Sequence, residues 1–430
     1  MTVKPYPGYK ASGVEWLASI PETWSVERIR RRARLRTDKA VDASLKVALE
    51  NVQSWTGRFI DTEEADYSGE GIAFSRGDVL FGKLRPYLAK AWRADTEGAA
   101  IGDFHVYSLS SDTDPRFFQF MILSGDFISL VDGSTYGAKM PRASWDFIGN
   151  LMEAFPPIAE QRQIADYLDI HTAKIDLLIG KQERLIETLA ERRQAVISHA
   201  VTKGLDPNVP MKDSGIYWLG EVPDTWTVIP LKRSLKFLTS GSRGWAEYYS
   251  DSGVPFIRIG NLPRGSLGLA MDDTQFVQIP GGAEGSRSVV REGDVLFSIT
   301  AYLGSVAIVD SANRGSYVSQ HVALARLNRR LAEPRFVGYF VLSESGQRQL
   351  QEQGYGGTKI QLSLDDIRHL VVTIPPIGEQ LQIVEYLDRE TAQIDALSVM
   401  AREMIKVLRE RRQALISAAV TGKIDVRGLS

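Results

Sequence analysis

The sequence predicts a mixed α/β (α+β) fold in which two pseudo-symmetric globular domains are separated by two long antiparallel coiled-coil helices. Three observations lead there. The chain is written twice, each half ends in a long helical pattern, and each half mixes strand and helix signals before that pattern begins.

The repeat organises the whole chain. SGVEWLASIPETWSV at Ser12 returns as SGIYWLGEVPDTWTV at Ser214, and GDVLF at Gly77 returns at Gly293. His105-Val106 matches His321-Val322, Pro115-Arg116-Phe117 matches Pro334-Arg335-Phe336, Tyr136-Gly137 matches Tyr355-Gly356, and PPIAEQ at Pro156 matches PPIGEQ at Pro375. The interval between partners grows mainly between the tryptophan motif and GDVLF. That region differs in sequence as well as length, which suits one frame carrying two different surfaces and also suits divergence without function.

Branched and aromatic content predicts strands at 46–52, 78–84 and 104–109, and at 255–260, 294–300 and 320–327. Segments 115–130 and 334–350, each opened by proline, read as amphipathic helices. The two best-matched stretches, 160–200 and 379–419, carry a seven-residue apolar repeat. Leu168, Ile175, Leu189 and Val196, with Leu178 and Leu185 between them, form one seam; Leu387, Ile394, Leu408 and Leu415, with Leu397 and Met404, form the other. Pro156-Pro157 and Pro375-Pro376 favour helix starts just after them, and Gly204 and Gly422 stand where a C-terminal glycine cap belongs. At 1.5 Å per residue each helix would reach about 60 Å, which suits a spacer. The competing reading, a helical hairpin buried in one core, leaves no place for Lys181, Glu183, Arg184, Glu187, Glu191, Arg192 and Arg193. Residues 1–157 and 205–376 are then the globular domains, 158–204 and 377–422 the spacer helices, and 423–430 a tail.

A length of 430 residues exceeds one comfortable core and agrees with several folded units. No cysteine is present, so disulfides, thiolate zinc sites and cysteine nucleophiles are excluded. No apolar run approaches the roughly 18 residues that span a bilayer, and the opening MTVKPYPGYK turns to proline where a signal peptide turns apolar, so the expected location is cytoplasmic. A net charge of −2 argues against nucleic-acid binding by bulk charge alone. The run Arg28, Arg30, Arg31, Arg32, Arg34, Arg36 and Lys39 is either a phosphate-facing stripe or a solvated basic face; the second half has only Lys232, Arg233 and Lys236 there.

The motifs in their duplicated order resemble the specificity subunits of type I restriction-modification systems along nearly the whole chain. Those motifs are SGxxWLxxxPxxW at Ser12 and Ser214, GDVLF at Gly77 and Gly293, PPIxEQ, and ERRQAxISxAVT from Glu191 and Glu410. The resemblance implies two target-recognition domains, each reading half of an interrupted asymmetric site in double-stranded DNA. It also implies helices that bind methyltransferase subunits and, through them, restriction/translocase subunits. No cofactor is expected in this chain, S-adenosylmethionine being carried by the methyltransferase partners.

The resemblance places recognition in loops of each domain. FGKLRPYL offers Lys83, Arg85 and Tyr87 after a strand, where arginine suits guanine and lysine suits phosphate; a water-exposed charge pair at a strand end is the alternative. The aligned FSITAYLG supplies Thr300 and Tyr302 instead. Two glycine-bearing loops carry Lys139 and Arg142 in the first half and Lys359 and Gln361 in the second, either to approach phosphate or simply to turn. Asn51 and Asn261, with Arg258 just ahead of the latter, suit adenine reading or a turn.

Catalytic signatures are missing from the sequence. There is no NPPY-like tetrapeptide, since Phe155-Pro-Pro-Ile and Ile374-Pro-Pro-Ile lack the polar head; nor is there a GxxxxGK[ST] loop, a GxSxG elbow or an HExxH pair. His105 and His321 suit packed or hydrogen-bonded roles. The rival readings are a coiled-coil adaptor with duplicated domains that do not bind DNA, and a single-chain modification enzyme with an unfamiliar site.

Overall fold

The computed structural model describes every residue except 1–3, 41–42, 64, 66, 69, 136–138, 279–284, 286, 354–360 and 430. It falls into two compact units, Met1–Glu183 with Arg402–Ser430, and Arg184–Ala401. Each unit thus holds one globular domain and part of each long helix.

In the first unit the central sheet is antiparallel, with strands in the order 33–35, 104–109, 79–82 and 91–93. The second unit repeats it as 235–240, 322–327, 295–298 and 306–308. The VLFG and VLFS strands are buried at every position, which is why GDVLF reads as an unbroken apolar run rather than an alternating one. The predicted strands at 46–52 and 255–260 are shorter than expected. Pairing stops after Val47 and Ile257, and the chain turns into 3-10 helix at Leu49–Asn51 and Ile259–Asn261.

Eight α-helices occur among the described residues: α1 Pro115–Ile122, α2 Gly125–Gly133, α3 Trp145–Ile148, α4 Ile158–Lys203, α5 Pro334–Leu342, α6 Glu344–Gln353, α7 Leu364–His369 and α8 Ile377–Val420. The single helices expected at 115–130 and 334–350 are each two. The hydroxyl of Ser124 accepts the Phe127 N–H and that of Ser343 accepts the Gly346 N–H, so each serine starts a second helix in the middle of an apolar pattern.

The repeated motifs explain one another. The indole of Trp24 donates to Glu160 and that of Trp226 to Glu379, both at 3.0 Å, joining the SGxxWLxxxPxxW motif to the PPIxEQ motif of the same repeat. The neighbouring glutamines tie each long helix to the helix that opens with proline. Gln161 accepts the Asp114 N–H and donates to Pro156 O, and Gln380 accepts the Glu333 N–H and donates to Pro375 O. Both motifs serve the junction of domain and helix. Gly204 and Gly422, with φ of +81° and +73°, supply the left-handed residue after each long helix.

The first core packs Trp24, Phe81 and Phe117 with Ile164, Ala165 and Leu168 of α4 and Ile416, Ala419 and Val420 of α8. The second packs Trp226, Phe297 and Phe336 with Ile197, Ala200 and Val201 of α4 and Ile383, Val384 and Leu387 of α8. The helices run antiparallel in the first unit, where Asp176 meets Arg412 and the later Glu183 meets the earlier Arg409. In the second unit Arg193 meets Asp395.

The seam differs from the sequence expectation on one side. Leu168, Ile175 and Leu189 are buried, as are Leu387, Ile394 and Leu408, while Val196 and Leu415 are half-buried. Leu178, Leu185, Leu397 and Met404 are exposed. The second row lies four residues after the first rather than three, through Thr172, Thr391, Ile405 and Arg412. Apolarity favours the wrong row because the right one holds polar groups with partners: Thr172 and Thr391 donate to Leu168 O and Leu387 O.

Glu153 is fully buried in the strand 152–155, and its Oε1 has no hydrogen-bond partner among the described residues. Burial holds its carboxyl well above the ordinary glutamate value of 4.5, with Asp126 adding to the shift. The folded state therefore keeps a proton that the unfolded chain releases, and stability falls as pH rises above about 4.5. Glu153→Gln is expected to raise the melting temperature of the first unit, by a margin that widens from pH 5 to pH 8 in thermal denaturation.

Candidate functional site

In the first domain three segments meet at one end of the central sheet. Lys83 N–H donates to Asp103 O at 2.9 Å, Ala143 N–H to Lys83 O at 2.9 Å and Arg85 N–H to Pro141 O at 2.8 Å, and Leu84 bridges Arg142. The 83–87 turn and the 139–142 loop, separate candidates in the sequence, are thus one surface. Arg85 has a φ of +49°, a left-handed conformation that costs a non-glycine residue about 1–2 kcal/mol. Its side chain and that of Tyr87 are exposed, as is Lys139. Arg142 clasps Asp103 through Nε at 3.0 Å and Nη2 at 2.9 Å, with Lys83 Nζ 3.8 Å from the same carboxylate. The hydrogen bond from Arg142 holds the Asp103 carboxyl below its ordinary range against the opposing effect of burial. Beneath them His105, 3.2 Å from the Tyr107 hydroxyl, is pushed down to about 4 by burial and by Lys83.

The second domain builds the same surface from other side chains. Ile299 N–H donates to His321 O at 3.1 Å, Leu362 N–H to Ile299 O at 2.9 Å, and Thr300 bridges Gln361. Ala301, which aligns with Arg85, repeats its left-handed backbone at a φ of +59°. Thr300 is half-buried and Gln361 exposed. Tyr302 is exposed, and the Arg264 guanidinium stacks 4.2 Å from its ring centroid. His321 is exposed and hydrogen-bonded to Gln320 at 3.1 Å. Lys359 lies outside the described residues.

Three candidates belong elsewhere. Asn51 is buried, accepting the Ala48 N–H and donating to Ile60 O. Asn261 is buried likewise, accepting the Arg258 N–H and donating to Ala270 O. Both amides staple 3-10 turns and are spent there, so neither is placed to read adenine as the sequence suggested. Arg258 pairs with Asp273 at 3.1 Å. Part of the basic run is paired, Arg32 with Glu27 and Asp112, Arg36 with Asp78, and Lys39 with Glu70, while Arg28, Arg30, Arg31 and Arg34 are exposed. Sequence reasoning missed Asp103 and Arg264. Asp103 stands two residues before the repeated histidine and Arg264 follows Pro263 in a loop, so position alone carried the only signal.

No helix among the described residues is long and apolar enough to cross a membrane.

The duplicated domains share one backbone surface and differ in its side chains. Residues 225–399 match the type I restriction modification DNA specificity domain. The type I restriction enzyme MjaVIII specificity subunit of Methanocaldococcus jannaschii is 22% identical over 306 residues, covering 70% of this chain and 69% of the relative. The EcoBI specificity subunit of Escherichia coli is 23% identical over 373 residues, 84% of this chain and 77% of the relative. The fold is shared with a chain from a structural study of complex assembly and conformational transition in the type I R-M system. That match has a TM-score of 0.75 at 18% identity and covers 93% of this chain and 98% of the other. The HsdS subunit of Thermoanaerobacter tengcongensis matches with a TM-score of 0.54 at 19% identity, covering 94% and 98%. The chain is thus similar, in its second half by family model and over most of its length by relatives, to type I restriction enzyme specificity subunits.

Proposed function

We propose that this chain is the non-catalytic subunit that gives a type I restriction-modification complex its sequence specificity, reading two separate stretches of duplex DNA. Residues 1–157 and 205–376 are the reading domains and 158–204 and 377–422 the spacers, while 423–430, expected as a tail, packs Val426 into the first core. The single observation that carries the reading is the doubled turn: one backbone, left-handed at Arg85 and Ala301, presents Lys83, Arg85 and Arg142 in one domain and Thr300, Tyr302 and Gln361 in the other. A frame kept constant while its outward side chains pass from cationic to neutral suits two half-sites of different sequence.

The exposed row of the long helices supplies the docking surface for methyltransferase subunits. In the first unit it includes Leu177, Leu178, Met404 and Val407, and in the second Leu185, Leu397, Val399 and Met400. Exposed apolar side chains recurring along a helix commonly mark a protein contact. Those subunits would bring S-adenosylmethionine and the methyl transfer, and restriction/translocase subunits would join through them, in the cytoplasm.

The test combines Lys83→Ala with Arg85→Ala in the chain assembled with its methyltransferase. Preference at one half-site is expected to weaken by roughly tenfold or more while the other half-site is read as before. A uniform loss across all sequences, with a flatter salt dependence, would instead assign both side chains to phosphates.

A further inference from the structure

Resting on the reading of DNA by the first domain, we infer that Asp103 is a positioning residue for that domain. It fixes the Arg142 guanidinium through a two-point clasp and sets Lys83 beside it, so that the cluster discriminates bases instead of merely attracting phosphates. An acid on a surface meant for a polyanion works against affinity, because it cancels one of the two cations it touches. Its geometry offers what that cost returns. Nε and Nη2 of Arg142 meet the two carboxylate oxygens at 3.0 and 2.9 Å, which fixes both the plane and the direction of the guanidinium.

The backbone around the clasp is equally determined. Asp103 follows Gly102, whose φ is +83°, and its carbonyl accepts the Lys83 N–H. Arg142 is held by its bridge to Leu84, one residue before the left-handed Arg85. One carboxylate thus coordinates side chains from two segments that are far apart in sequence. Among the described residues the second domain has no such cluster: Ser319, Ile299 and Gln361 occupy the positions of Asp103, Lys83 and Arg142. The device belongs to one half-site only, and this asymmetry makes it separable by experiment.

The experiment uses the full chain assembled with its methyltransferase. Binding is measured on duplexes carrying the selected bipartite site, on duplexes randomised in either half, and on duplexes without the site, over a range of salt. In Asp103→Asn, non-specific affinity is expected to rise and its salt slope to steepen by about one, because the cluster gains a net positive charge. Discrimination at the first half-site is expected to fall roughly five- to a hundred-fold, and discrimination at the second to stay unchanged. Arg142→Lys keeps the charge but loses the two-point clasp, so it should lose the same discrimination without the rise in non-specific binding.

First-half discrimination at the wild-type level in either variant would overturn the role of Asp103 and leave the DNA reading standing. Equal loss at both half-sites would also overturn it, marking the clasp as general structure. A wild-type complex that prefers no bipartite duplex would overturn the underlying reading itself.

Discussion

Residues 1–205 alone are expected to form a dimer and, with methyltransferase added, to select a palindrome made from the first half-site. In the full chain the first core is completed by Ile416, Ala419 and Val420 of α8. A fragment without α8 exposes that face. The end of α4, however, carries Ile197, Ala200 and Val201, the same residue types, and they fill the matching place in the second core. The ion pairs are interchangeable in the same way. Arg412 meets Asp176 and Arg193 meets Asp395, so each fragment holds one Arg193 and one Asp176 that a second copy can satisfy. Two copies then close both seams symmetrically, as a two-fold interface requires. Gln182 in place of Ala401 and His171 in place of Glu390 are the poorest substitutions. Light scattering on the purified fragment and selection from random duplexes read the outcome. A stable monomer, or a dimer that selects an asymmetric site, would show that the halves are not interchangeable.

Equivalent arginines should differ sharply in what they contribute. Arg412 is 5% exposed and Asp176 9%, and Arg412 also donates to Trp55 O at 2.7 Å, where the chain is left-handed at a φ of +66°. Arg412→Ala removes the partner of a buried carboxylate and of a backbone carbonyl, at a cost of about 3 kcal/mol or more. Arg58, which pairs with Asp176 at 2.8 Å, limits the damage. At the other copy Arg193 is 16% exposed and Asp395 54%, so water replaces the lost partner and Arg193→Ala should cost about 1 kcal/mol or less. Urea denaturation of both variants at neutral pH measures the contrast. Equal costs would mean that burial at the Asp176 clasp is not what gives it strength.

The duplicated motifs and the two long helices were legible in the sequence because repetition and heptad spacing survive without knowledge of contacts. What misled was polarity that finds its partner inside the fold. Thr172, Thr391 and Arg412 belong to the seam because each polar group is satisfied there, whereas Leu178 and Met404 face outward despite their apolarity. Asn51 and Asn261 invited a functional reading for the same reason. Only the contacts reveal that their amides are spent on Ala48, Ile60, Arg258 and Ala270. Of the candidate site, the turn at Lys83–Tyr87 was visible as basic residues after a strand. Its union with the 139–142 loop was not, because a β-bridge between distant segments leaves no trace in local composition.

One chain is expected to read two half-sites through two unlike versions of one turn. Selection of bound duplexes from a random pool, by the full chain assembled with its methyltransferase, tests it most directly. The expected result is an interrupted, asymmetric motif in which Lys83→Ala with Arg85→Ala degrades one half and Thr300→Ala with Gln361→Ala degrades the other. A single continuous motif, or a bipartite one in which both pairs of substitutions degrade the same half, would contradict it.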